Sequence, residues 1–422
     1  MIRSLYAAVS GISANQTLLN AIGNNIANTN TVGYKSESVQ FSDLLNQQTA
    51  GATAAQGGNP STNPMAVGSG VKVSTLAPNF TQGSIEQTGR PLDVAIQGSG
   101  FLIGQMNGQT FYTRAGNLSL DANGVLSTAN GAAVQGWIAG PGGVVNTNAP
   151  TSNLTISQTQ VLNPQATSSI NVGGNLPAGS TSPVTTSITA YDSLGVAVPI
   201  TLTFTPSTTP GQWTLQGTSQ NPGGGTTTLW NTAQTVGFTN GQISSINGTA
   251  VNGASSIPVN NMPTGYTWAN GATLSVALPA PGSQAALTDF SGQSTAAATS
   301  QNGYASGTPQ SYSVGQNGTI TESFSNGRTQ AVGRIALASF ANPTGLISTG
   351  NLMYQASVAS GVPQLATPGT AGTGSLMGGS LEMSNVNMGR QLTNMIIAQN
   401  AYEANTKVVA TSNTVLQALV NM

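Results

Sequence analysis

A search for reactive side chains finds ten carboxylates and no histidine or cysteine among 422 residues. The commonest general base, the thiol nucleophile and the usual nitrogen and sulfur metal ligands are therefore missing. No two carboxylates stand close enough in sequence to read as a catalytic pair, so a two-carboxylate hydrolase would have to assemble distant ones. Asp121-Ala-Asn-Gly124 opens like a calcium loop, but no glutamate closes it at the required distance, and it reads as a hairpin turn. The stretch GSGFLIG, Gly98 to Gly104, has the wrong spacing for a dinucleotide fingerprint and reads as a turn between strands. Asn-x-Ser/Thr triplets such as Asn79-Phe-Thr81 are expected by chance in a chain this rich in those residues. No catalytic, cofactor-binding or metal-binding residue is assigned, and the chain reads as a non-enzyme.

The strongest pattern is helical. Near the C-terminus Met388, Met395, Tyr402, Val409 and Leu416 recur every seven residues, with Leu392, Gln399, Thr406, Asn413 and Val420 at the companion position. The outer layers of this heptad are apolar and the middle layers polar. At the N-terminus Ile2, Leu5, Val9, Ile12, Leu19 and Ile26 follow a three-four alternation, with Gln16 and Gly23 filling the seam. Two readings are open for these seams. Both helices could pack on the chain's own core, or they could order against other copies in an assembly. Narrow seam periodicity and position at the extreme ends favour assembly. On that reading residues 1–30 and 385–422 are unstructured in the free chain. Gln399, Thr406 and Asn413 would then prevent premature pairing and fix register, or else face a solvated channel.

Composition limits the partners. Charged residues are 5% and the formal net charge is −1, so no basic footprint for nucleic acid and no polybasic membrane anchor exists. Nor does any apolar run reach membrane-spanning length. The faint signal-peptide look of MIRSLYAAVSGISANQ is broken by Ser10, Gly11 and Ser13, and the segment reads as part of the mature fold. With 53 Gly, 21 Pro and 38% hydrophobic residues, the chain fits a folded, turn-rich β protein better than a disordered coil. Zero cysteine excludes disulfide staples.

Between the helices the pattern is one of short strands separated by Gly, Asn and Pro. The expected fold class is mainly β with a terminal α-helical coiled-coil domain, in a nested multidomain architecture. Residues 1–30 and 381–422 form the helical domain, and 31–70 a linker or extended arm. Residues 71–142 and 290–380 form a middle β domain, and 143–289 an inserted outer β domain. Ser384, Asn385 and Asn387 are candidate caps of the C-terminal helix.

Several stretches together carry a family resemblance. IGNNIANTNTVGYKS (22–36) resembles the N-terminal signature of the bacterial flagellar rod and hook axial proteins. GSLEMSNVNMGRQLTNMIIAQNAYEANTKVV (379–409) resembles their paired C-terminal signature. TGRPLDVAIQGSGFLI (88–103) and SQNGYASG (300–307) resemble their β domain, so the likeness covers roughly residues 1–142 and 290–422. Rod members are shorter, and the large insertion makes the chain most similar to the hook members. The resemblance implies a tubular homopolymer acting as a flexible, torque-transmitting joint between rod and filament. It implies export through the flagellar type III apparatus without a cleaved signal, to an extracellular position on the flagellum. It further implies contacts with many copies of itself and with rod, hook-cap and hook–filament junction proteins. An inner tube of paired terminal helices, a middle β domain and an outer β domain are implied as well. A distal rod protein and a β-rich surface adhesin or fibre are the alternatives. The scarcity of charge fits surfaces that slide against identical copies without repulsion, or a compositional habit of the source.

Overall fold

The computed structural model describes residues 2–52, 63–157, 159–269 and 271–421, with the side chain of Ile2 and residues 53–62 of the expected arm outside that set. The chain divides into two units, Met1–Gln158 with Ser311–Glu322 and Thr329–Met422, and Thr159–Gln310 with Ser323–Arg328.

In the first unit the helical periodicity at the two ends becomes two helices, α1 (Ile2–Ala27) and α2 (Met388–Val420). Of the three candidate caps, Asn387 starts α2, its side-chain oxygen accepting the Arg390 N–H at 2.9 Å. The sequence between the helices supplies an antiparallel sheet. Strands Thr329–Ile335, Ala133–Ile138, Phe101–Met106, Gln109–Thr113, Met353–Gln355 and Ile347–Gly350 are neighbours in that order. Alternation along Phe101–Met106 fills two cores at once. Leu102 packs with Val94, Ile96, Leu118, Leu126 and Val134 on one face, and Phe101 and Ile103 with Tyr112, Trp137, Phe340 and Tyr354 on the other.

Within residues 31–70, expected as a linker or extended arm, the described strands contribute to a paired ribbon. Glu37–Asp43 pairs antiparallel with Val71–Pro78, and Asn46–Ala50 with Met65–Gly68. The ribbon lies against α1, where the Val71 N–H donates to Ser10 Oγ at 3.2 Å. The strands Asn46–Ala50 (NQQTA) and Met65–Gly68 (MAVG) lack the β-branched alternation that marks a strand in sequence, whereas Val71–Pro78 (VKVSTLAP) shows it.

The second unit is a separate β structure. Its principal strands run Val184–Tyr191, Ala197–Pro206, Gln212–Gln220, Gln234–Thr239, Gln242–Ile246, Leu287–Phe290, Ser169–Pro177, Ser275–Leu278 and Ser255–Pro258 in spatial order. Val198, Ile200, Leu202 and Phe204 alternate into a core shared with Trp213, Leu215 and Trp230. Asp192, the lone charge between Asp121 and Asp289, is buried as a turn former. It accepts the Leu194 and Val196 N–H groups on one oxygen and the Thr267 N–H on the other. The unit differs in extent from the expected 143–289 insertion. Leu154 and Ile156 join the first unit's core, while Ala297–Gln301 pairs with Ser169–Pro177 in the second.

Candidate assembly site

The helices α1 and α2 pack on each other. The end of α1 and the start of α2 are anchored side by side, so the two run antiparallel. Asn25 at the end of α1 donates to the Glu37 carbonyl and accepts its N–H, and the Ser36 N–H donates to Asn385 Oδ1. Asn385 in turn donates to the carbonyls of Asn79 and Thr81.

The buried stripe of α1 is built of small residues: Ala8, Gly11, Ala14 and Ala21, then Ile22 and Asn25. Gly11 faces Asn405 of α2, and a Cβ added there would lie 2.8 Å from Asn405 Nδ2. The inward stripe of α2 is Met395, Ala398, Tyr402, Asn405, Val409, Ser412 and Leu416, alternating three and four residues apart. Within it only Ala398 and Ser412 are buried.

One heptad series from the sequence is therefore in the seam, namely Met395, Tyr402, Val409 and Leu416, each half-buried. Met388 at its head is exposed. The companion series is displaced by one residue. Ala398, Asn405 and Ser412 occupy that row, whereas Leu392, Gln399 and Asn413 are exposed and Thr406 is half-buried. Small side chains fill the row because the helices approach closely, and Ala, Ser and Asn leave no hydrophobic signature. On α1, Leu5, Ile12, Leu19 and Ile26 are half-buried and Val9 is exposed. Beyond the seam the pair leaves Tyr6, Val9, Leu392, Ile396, Ile397, Val408, Val415 and Leu419 facing out, so α2 carries apolar residues on more than one face.

Both helices leave the sheet beside a buried charge cluster. Glu382 Oε1 accepts from Lys35 Nζ at 2.7 Å and from the Gly83 N–H at 2.9 Å, while Oε2 lies 3.3 Å from Arg114 Nη1. Lys35 and Glu382 side chains are fully buried and Arg114 is 3% exposed. Lys35 Nζ also donates to the Thr81 carbonyl at 2.8 Å. Burial pushes the Lys35 and Arg114 pKa values down, and the Glu382 carboxylate works against that shift. The second cation is further accommodated by the Phe101 ring, 5.4 Å from the guanidinium carbon. Tyr354, part of the same aromatic cluster, is pushed up to about 12, first by burial and then by the Glu37 charge. Gly33 completes the joint. Its φ of +71° suits glycine, its N–H donates to the Glu382 carbonyl, and a Cβ would meet Ala115 N at 2.7 Å.

Sequence reasoning passed over Lys35, Arg114 and Glu382. The available signal was scarcity: in a chain with nineteen charges, Lys35 and Glu382 sit inside the two long terminal motifs. Among the described residues no group of three His, Cys, Asp or Glu side chains could hold a metal, and no helix is long and apolar enough to cross a membrane.

Comparison with known proteins bears directly on this pair of joined termini. The flagella basal body rod protein family matches residues 5–35, and the flagellar basal body rod FlgEFG protein C-terminal family matches 377–422. Between them the flagellar hook protein FlgE/F/G D1 domain matches 95–175 and the flagellar basal body protein FlaE D2 domain 162–304. The flagellar hook protein FlgE of Treponema pallidum is 34% identical over 464 aligned residues, covering all of both chains. That of Escherichia coli is 35% identical, covering 98% of each. This chain belongs to the flagellar hook protein family. A flagellar basal-body rod protein FlgG of Bacillus subtilis is more distant from this hook-family chain, at 26% identity over all of it. The crystal structure of Helicobacter pylori flagellar hook protein FlgE2 shares the fold, with a TM-score of 0.52 over 71% of this chain and all of that one, at 16% identity.

Proposed function

We propose that this chain is the structural subunit of a flagellar hook, assembling with many copies of itself into a tubular, bendable joint that passes torque from rod to filament. The observation that carries the reading is the surplus of exposed apolar residues on the paired helices. A two-helix hairpin buries one stripe of each helix, yet Ile396, Ile397, Val415 and Leu419 remain outside it. Neighbouring copies of the same hairpin would cover them and close the inner tube. The charge cluster at Glu382 fixes the base of that hairpin to the β body, so force on the helices is transmitted to the sheet. Leu392, Gln399 and Asn413 face outward in the single chain and are free to set register with neighbours or to line a channel. Leu5, Ile12, Leu19 and Ile26 complete the seam from α1, and Val9, exposed in the single chain, would meet a neighbouring copy. The same reading includes export through the flagellar apparatus without a cleaved signal, contacts with rod, cap and junction proteins, and no catalytic step.

Hook relatives at 33–35% identity over nearly the whole chain favour this reading over a distal rod protein, the Bacillus subtilis rod relative standing at 26%. Sedimentation of purified protein under assembly conditions, followed by negative-stain microscopy, tests it. Curved tubes are expected. Straight tubes would indicate a rod protein, and persistent monomers or trimers a surface fibre.

A further inference from the structure

The chain contains ten Asn-Gly pairs, the sequence most prone to intramolecular loss of the asparagine amide. In that reaction the glycine backbone nitrogen attacks the asparagine Cγ, a C–N bond forms and ammonia leaves, giving a succinimide. Water then opens the ring to aspartate or isoaspartate. The glycine nitrogen and the side-chain amide must both be free to meet, so hydrogen bonds to either one slow the step.

Most pairs in this fold are held. Asn302 accepts the Ser168 and Ser169 N–H groups and donates to Ser168 Oγ. Asn247 accepts the Thr235 N–H and donates to Gln234. Asn326 accepts the Arg328 N–H and donates to the Ala305 carbonyl. Asn317 accepts the Thr319 N–H, and Asn130 donates to the Asn351 carbonyl. After Asn123 the glycine nitrogen is the tied group, Gly124 N–H donating to the Asp121 carbonyl. Asn107 and Asn240 occupy two-residue hairpin corners with φ of 52°, where the paired flanks Met106↔Gln109 and Thr239↔Gln242 resist the rotation that ring closure needs.

Asn252-Gly253 is different. It lies in a bend between the strands Thr249–Ala250 and Ser255–Pro258. Asn252 is exposed, and among the described residues neither its side chain nor the Gly253 nitrogen has a hydrogen-bond partner. No atom lies within 4 Å of where a Gly253 Cβ would stand, and its φ is ordinary.

We propose that Asn252 is a site of spontaneous amide loss, converting to isoaspartate and aspartate ahead of the other described Asn-Gly pairs. The second unit holds only Asp192, Asp289 and Arg328 as charged residues, so one conversion takes its formal charge from −1 to −2. A slow chemical mark of this kind would accumulate on a nearly neutral surface with the age of the protein.

The test is incubation of the full-length folded protein at mildly alkaline pH, with peptide mapping by mass spectrometry and isoaspartate labelling at intervals. Conversion at Asn252 is expected about tenfold faster than at Asn247, Asn302 or Asn326, whose hydrogen bonds must first break. Gly253→Ala has room for its methyl group and should suppress the conversion while leaving the circular dichroism spectrum and melting unchanged. The proposal is overturned if Asn252 keeps its amide while another described pair converts, if all pairs convert at similar rates, or if Gly253→Ala leaves the rate unaltered.

Discussion

Glu382 holds two cations and a backbone amide out of water at once, and every one of those partners comes from a distant part of the chain. Removing one member of such a cluster strands buried charge, at a cost of about 3–5 kcal/mol. Glu382→Ala should therefore lower the unfolding free energy of the first unit by that amount, while Glu382→Gln, which keeps the acceptor oxygen, should cost less. Urea unfolding of both variants checks this. A second buried carboxylate behaves differently. Glu322 points inward from the strand Thr319–Phe324, and one of its oxygens has no partner. Burial raises its pKa above the ordinary 4.5, with the Tyr312 hydroxyl pulling the other way. The folded state thus binds this proton more tightly than the unfolded one. Its stabilising contribution is full below the ordinary value and is lost as pH rises through the folded value. Glu322→Gln should gain about 1–3 kcal/mol at neutral pH and nothing at low pH, measured as melting temperature against pH. Neither carboxylate was legible as a site in the sequence. A single charged residue in a strand looks like surface, and only the fold reveals which rare charges are enclosed.

At the scale of elements, the hairpin of α1 and α2 rests on close approach at small residues. Gly11→Leu would drive its side chain into Asn405, so it should loosen the pair and expose the helices to proteolysis. Replacing Gln399, Thr406 and Asn413 with Leu has the opposite character. Gln399 and Asn413 lie outside the seam, so the hairpin should survive and the free protein should form oligomers before assembly conditions are reached. Light scattering of the triple variant checks this, and a monomeric variant that assembles at the usual rate would count against the outward faces as contact surfaces. Heptad spacing made both helices readable in advance. It does not mark the row that meets α1 within one chain, because Ala398, Asn405 and Ser412 fill that row and leave no hydrophobic signature. The strand Val71–Pro78 was legible from its alternation, but its partner Glu37–Asp43, inside the expected arm, was not. Its pairing is written in backbone hydrogen bonds more than in side-chain alternation.

For the whole molecule, the nested order of helices outside and β structure inside was legible from where the periodicity changes. The limits of the second unit were not, since residues 143–157 and 290–310 have the same strand-and-turn composition as their neighbours on both sides. In a hook of this chain the apolar surface left on the helical hairpin would be covered by other copies of the same chain. The absence of native cysteine lets a single introduced thiol report that burial. Ile397→Cys, at a residue 60% exposed on the outer face of α2, should react rapidly with a thiol reagent in the free protein. Once the protein is assembled into tubes, visible by negative-stain microscopy, the same cysteine should be protected. Tubes in which Cys at position 397 reacts as fast as in the free chain would contradict the account.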